Sequence, residues 1–164
     1  MKSLILYYSH SGNTARMAQK FWNILKSKGE SNLHELRYSD RKRNRIRHLL
    51  ARFIPALASL ENVPYEATDY DLLCIGAPAW GGRPAPLVCK YIKSLGNLPS
   101  ARIIYFQIYG IKKSAKQSFS YVEKTLRHTG SKGLINVDIS WNKARNEDNV
   151  EKVTTEALNK VLGE

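Results

Sequence analysis

Three features of this 164-residue chain predict an α/β domain: five parallel strands, doubly wound, between two layers of helices. Short apolar runs alternate with stretches whose apolar residues recur at i, i+3, i+4 and i+7. The interior runs are apolar almost throughout, as strands buried on both faces must be. Strand and helix follow one another along the whole sequence, the pattern of repeated β-α-β units.

Each element has its own signal. Residues 3–8 (Ser-Leu-Ile-Leu-Tyr-Tyr) suit a buried first strand, and Thr14, Met17, Ala18, Phe21, Trp22 and Leu25 mark the first helix, stopped by Gly29. A short second strand is expected at 33–38. Ile46, Leu49, Leu50, Phe53, Ile54 and Leu57 repeat the helical spacing, with a kink or break expected at Pro55. Residues 71–76 form a third strand. The third helix carries Leu87, Val88, Tyr91, Ile92 and Leu95, with Pro86 fitted to its first turn. A fourth strand at 102–108 leads to a helix marked by Ala115, Phe119, Val122 and Leu126, which ends at Gly130. Ile135, Val137, Ile139 and Trp141 alternate with Asn136, Asp138 and Ser140, as on a half-exposed edge strand. Val150, Val153, Ala157, Leu158 and Val161 close the chain as a helix whose first turn holds Glu147, Asp148 and Glu151.

Right-handed crossovers leave few orders for such a sheet, and the common small one is 2-1-3-4-5. Its ligand crevice lies beyond the carboxyl ends of strands 1 and 3, so the loops after them are expected side by side. The length suits one domain, 1–164, with a real core. No apolar run reaches the about 18 residues that span a bilayer, and the chain opens directly into a strand, so a cytoplasmic location is expected. Cys74 and Cys89 have no metal-ligand spacing and are expected to be reduced packing residues.

The net charge of +12 is uneven. Arg37, Arg41, Lys42, Arg43, Arg45, Arg47 and Arg52 face one acid, Asp40; Lys112, Lys113 and Lys116 form a second cluster. Such runs are either a solvated face or a surface for anionic partners.

Two loops carry the chemistry. Ser9-His10-Ser11-Gly12-Asn13-Thr14 joins the first strand to a helix N-terminus, where unpartnered N–H groups and the helix dipole favour an anion such as a phosphate monoester. The same residue types also cap helices and turn chains, so the loop alone leaves both readings open. There is no G-x-G-x-x-G for a dinucleotide and no G-x-x-x-x-G-K-[ST] for a nucleoside triphosphate. The second loop, 77–86, places Trp80 between Pro78 and the Gly81-Gly82 pair. An indole face and accessible peptide groups suit a flat heteroaromatic ring, though Trp80 also fits as a packing residue.

With Tyr-Ser-His-Ser-Gly-Asn-Thr at 8–14 and Tyr-Asp-Leu-Leu-Cys-Ile-Gly-Ala-Pro-Ala-Trp at 70–80, the sequence resembles the flavodoxin-like FMN-binding proteins. It is similar to the flavodoxin-family oxidoreductases whose third strand ends in Gly-x-Pro-x-Trp, and element order extends the resemblance over nearly the whole chain. The resemblance implies that Ser9, His10, Ser11, Gly12, Asn13 and Thr14 hold the FMN phosphate, with His10 a spacer. It also implies that Pro78, Ala79, Trp80, Gly81 and Gly82 border the isoalloxazine. Tyr109 and Gly110 open the family's third loop, where Tyr109 is placed to stack on the other ring face. Gly81 or Gly82 would let a peptide turn its carbonyl toward the flavin N5. The basic surround is expected to make the second reduction potential less negative than in acidic relatives.

Other users of this fold lack their groups here. Response regulators need acids after strand 1 and an Asp ending strand 3, where this chain has Tyr8-Ser9 and Gly76; low-molecular-weight phosphatases need a Cys in the first loop. The leading expectation is an FMN-binding redox protein passing electrons between a donor and a protein or small-molecule acceptor, docking an acidic partner through residues 37–52. The alternatives are an NAD(P)H-dependent quinone or flavin reductase, and a cofactor-free module using its basic face; nucleic acid is the less expected partner.

Overall fold

The computed structural model describes residues 1–38 and 67–163. Its elements are β1 (Lys2–Tyr7), α1 (Asn13–Leu25), β2 (Glu30–Glu35), β3 (Leu72–Trp80), β4 (Arg83–Pro84), α2 (Pro86–Ser94), β5 (Arg102–Tyr109), α3 (Lys112–Leu126), β6 (Gly133–Ser140) and α4 (Glu147–Leu162). The sheet runs β2-β1-β3-β5-β6, all parallel, with β4 paired antiparallel to β3. Apart from that two-residue strand, this is the order expected. The helix expected around Ile46–Leu57 and the Pro55 kink fall in residues 39–66, outside the described residues.

Strand pleating sends alternate side chains to two cores. Leu4, Leu6, Leu73, Ile75, Ile103 and Tyr105 pack with Val88, Tyr91 and Val122 of α2 and α3. Ile5, Cys74, Ile104 and Phe106 pack with Phe21 of α1 and Leu158 of α4. Burial on both faces is why the interior strands read as continuous apolar runs. Cys74 lies in the second core and Cys89 is buried on α2, both as free thiols, and burial raises both above the ordinary thiol value.

Two strands depart from expectation. β2 begins at Glu30 and ends at Glu35, three residues earlier than expected, because its ladder with β1 runs from Lys2↔Glu30 to Tyr7↔Glu35. Its own polar sequence gives no period, so the partner strand decides the register. β3 continues through Ala77 and Pro78, paired to Gln107 and Ile108, instead of ending at Gly76. Pro78 lies past the last pair with β1, Tyr7↔Gly76, where one side of the strand has no partner and a missing N–H is tolerated.

The helix ends follow local chemistry. Pro86 heads α2. Asn146 accepts a bond from the Asn149 N–H at 3.0 Å, capping α4 ahead of Glu147 and Asp148. Among the described residues β6 is paired only to β5, and it is half-exposed, as its alternation implied.

Candidate functional site

At the carboxyl end of the sheet, β1 delivers residues 8–12 to the N-terminus of α1. Gly12 caps that helix with φ of 84°, in the left-handed region where glycine carries no penalty. Its N–H is donated to Ser9 Oγ at 3.1 Å, and the Asn13 amide donates to Ser11 Oγ at 3.4 Å. The helix N-terminus itself has no side-chain cap and no acid in its first turn. Ser11 and Gly12 are exposed, whereas Asn13 and Thr14 are nearly covered. A cradle for a Cβ at Gly12 is empty, with nothing within 4 Å. The first turn of α1 thus offers its N–H groups and the positive end of the helix dipole with no acid of its own to meet them.

What reads as a second loop is a tight hairpin. Ala79 pairs with Pro84 and Trp80 with Arg83, so Gly81 and Gly82 are the whole turn. Their φ values of 55° and 81° are the double-positive signature of a type I′ turn. The Gly82 N–H is donated to Ser114 Oγ on α3 at 3.0 Å, and that hydroxyl donates to the Ala79 carbonyl at 3.4 Å. Because a trans peptide points its C=O opposite to its N–H, the Gly81 carbonyl is directed away from Ser114.

The two motifs meet. The Trp80 ring lies edge-on to His10 at 5.9 Å and to Tyr8 at 5.8 Å, and Tyr8 is edge-on to Tyr38 at 5.5 Å. Trp80 is half-buried, so it both packs against the core and presents surface at the sheet end. His10 is exposed beside it. Tyr109 ends β5, the strand next to β3, with the Lys112 ammonium 5.0 Å over its ring; Gly110 follows, exposed. Lys112 is also paired with Asp138, which raises its pKa.

The loop after β6 joins this end as well, a contribution that the sequence reading missed. Arg16 on α1 donates to the Ala144 carbonyl at 2.9 Å, tying the first loop's helix to the turn at Lys143–Arg145. Exposed Trp141 carries the Arg145 guanidinium 3.6 Å above its ring. A signal existed, since an aromatic and a cation follow the last strand, but nothing local ties Arg16 to a carbonyl 128 residues away. Of the basic segment 37–52, Arg37 is paired with Glu35 at 2.8 Å, and residues 39–52 lie outside the described residues.

No family model matches the sequence, and no curated protein is significantly similar to it. Solved structures are. A candidate flavoprotein from Bacteroides eggerthii superposes with a TM-score of 0.68 at 20% identity, covering 99% of this chain and 98% of that one. A flavoprotein from Lactobacillus acidophilus, determined in complex with FMN, gives 0.59 at 25% identity over 82% and 92%. A flavodoxin from Streptococcus pneumoniae gives 0.65 at 13% identity over 100% of both chains. With its parallel sheet order β2-β1-β3-β5-β6 and these neighbours, the chain has the flavodoxin-like fold.

Proposed function

We propose that this chain binds FMN at the carboxyl end of its sheet and serves as a redox protein, passing electrons between a donor and an acceptor. The observation that carries the reading is the meeting of a helix N-terminus without a side-chain cap with a glycine hairpin, joined by the His10–Trp80 contact at 5.9 Å. The Lactobacillus flavoprotein solved with FMN has the same fold and supports it.

The donor set fits the cofactor. Ser9, Ser11 and the N–H groups heading α1 would hold a phosphate monoester, with His10, Gly12, Asn13 and Thr14 completing the loop. The first turn of α1 holds no acid to compete with a bound anion. Pro78, Ala79, Trp80, Gly81 and Gly82 would border the ring on one side, and Tyr109 with Gly110 on the other. Bound FMN supplies the electron chemistry, taking up and releasing one or two electrons.

The residues of the chain orient that ring. Ser114 holds the Gly81–Gly82 peptide so that its carbonyl faces outward from α3, as an acceptor for a ring N–H. Turning this peptide over breaks the 3.0 Å bond to Ser114, so the serine sets the cost of any flip. Trp80, packed on Tyr8 and His10, covers one flank against water. The Lys112 ammonium lies over Tyr109 at the rim, where its pairing with Asp138 cancels most of its charge.

Titration of the folded protein with FMN, read by quenching of the flavin fluorescence, tests the proposal. Saturable one-to-one binding is expected. Absence of association with FMN in excess would sink it.

A further inference from the structure

We infer that the outer face of α2 and α3 docks an acidic electron-carrier protein. The redox character of the partner rests on the FMN reading above; the surface rests on charge and placement. Between Asp71 and Asp138 the sequence has a single acid, Glu123. The fold gathers most of the cations of this stretch on one layer; Arg102, which donates to the Val161 carbonyl of α4, is not among them. Arg83 in β4, Lys93 in α2, Lys113, Lys116 and Lys124 in α3, and Arg127 in the turn after it are all exposed. Lys113, Lys116 and Lys124 are three and eleven residues apart, spacings that keep them on one side of the helix.

Within the two helices of the opposite layer the charges cancel, although the flanking turns add Lys26, Lys28, Lys143 and Arg145. Arg16 and Lys20 of α1 with Lys152 and Lys160 of α4 face Glu147, Asp148, Glu151 and Glu156, and Lys20 pairs with Glu151 at 2.8 Å. The positive charge of the described helices is therefore one-sided. It adjoins the glycine hairpin, because Gly82 bonds to Ser114 of α3 and Arg83 lies 5.3 Å over the Tyr121 ring on the same helix.

Charge complementarity and this continuity with the hairpin select the occupant. Among the described residues the exposed large apolar side chains are Met1, Ile111 and Trp141, and only Ile111 borders this face, which leaves little to insert into a membrane. Phe119 and Tyr121 are half-buried, so the face offers no exposed aromatic platform for bases. An acidic protein seated on these cations would sit beside the hairpin tip, where electrons would enter or leave.

The test uses the soluble domain of cytochrome b5, a small acidic haem protein, as a labelled probe. Association is followed by fluorescence anisotropy at about 20 mM and about 300 mM salt, with and without FMN. The triple variant Lys93→Glu/Lys116→Glu/Lys124→Glu is compared with Lys26→Glu/Lys152→Glu/Lys160→Glu, which carries the same change of net charge elsewhere. Expected is binding by the unaltered protein at low salt that is lost at high salt. The first triple should weaken it by about tenfold or more and the second by much less. Equal losses from the two triples, or no association at low salt, overturns the inference. So does tighter binding of random duplex DNA or of anionic vesicles than of the probe. Circular dichroism confirms that both triples fold. Neither touches the FMN site, so flavin quenching in the same samples reports separately whether the cofactor reading fails.

Discussion

Alanine at the two hairpin glycines separates backbone strain from crowding, because the positions share a turn and differ in surroundings. Gly81, at φ of 55°, has nothing within 4 Å of where a Cβ would stand. Gly82, at φ of 81°, would place its Cβ 2.8 Å from Gln117 Oε1 and 3.1 Å from Gln117 Cβ. An L-residue in the left-handed region costs roughly 1–2 kcal/mol. Loss of unfolded-state freedom offsets about 0.4–1 kcal/mol of that. Gly81→Ala should therefore destabilise by about 1 kcal/mol. Gly82→Ala adds displacement of the exposed Gln117 side chain, a further cost at the low end of overpacking, about 1 kcal/mol. Gly81→Asn should be close to neutral, since Asn tolerates this region and Asn-Gly is the favoured pair for a type I′ turn. For a chain of this length each kcal/mol moves Tm by roughly 2–4 °C. Urea unfolding of the three variants, with the slope m checked for constancy, reads the order. If Gly81→Ala costs as much as Gly82→Ala, or Gly81→Asn as much as Gly81→Ala, the geometry of the turn has been misread.

Three further outcomes follow from named contacts. Gly76→Ala would put a Cβ 2.1 Å from Phe106 Cζ, in a ring that is fully buried and 5.0 Å from Phe21; about 3 kcal/mol should be lost. Phe106→Leu in the same chain should recover part of it, and simple additivity in a double-mutant cycle would count against the clash. Ser114→Ala removes the acceptor of the Gly82 N–H, with an expected loss of about 1 kcal/mol and a several-fold weaker hold on FMN. Unchanged FMN affinity in a destabilised variant would show that the serine supports only the fold. Burial raises the Cys74 thiol and the Tyr105 phenol above their ordinary values of 9.0 and 10.0. Both stay neutral when folded but ionise when unfolded, so their contribution is complete below those values and is lost as pH rises past them. The urea midpoint should fall on the alkaline side of 9.0, and a flat midpoint there would contradict their burial.

How much was legible in the sequence follows the range of the forces involved. Hydrophobic period and punctuation are local, so Leu4-Ile5-Leu6, the spacing of Met17, Phe21 and Leu25, and the Pro86 start of α2 could be read directly. With handedness rules these gave the sheet order, and with it the neighbourhood of residues 9–14 and 78–82. Polar β2 was expected at 33–38, three residues late, because only its ladder with β1 sets its register. Gly81-Gly82 looked like part of an open loop, since the pairing of Trp80 with Arg83 shows only once β3 has a partner to extend along.

Local pattern thus determined most of the strands and helices and which two loops meet at the carboxyl end of the sheet. Tertiary structure alone decided how that end is held: Ser114 on the hairpin, Arg16 on the turn after β6, and cations gathered on one layer. Those contacts join residues 32 and 128 positions apart, and no spacing rule along the chain can encode a distance that exists only after the layers have packed.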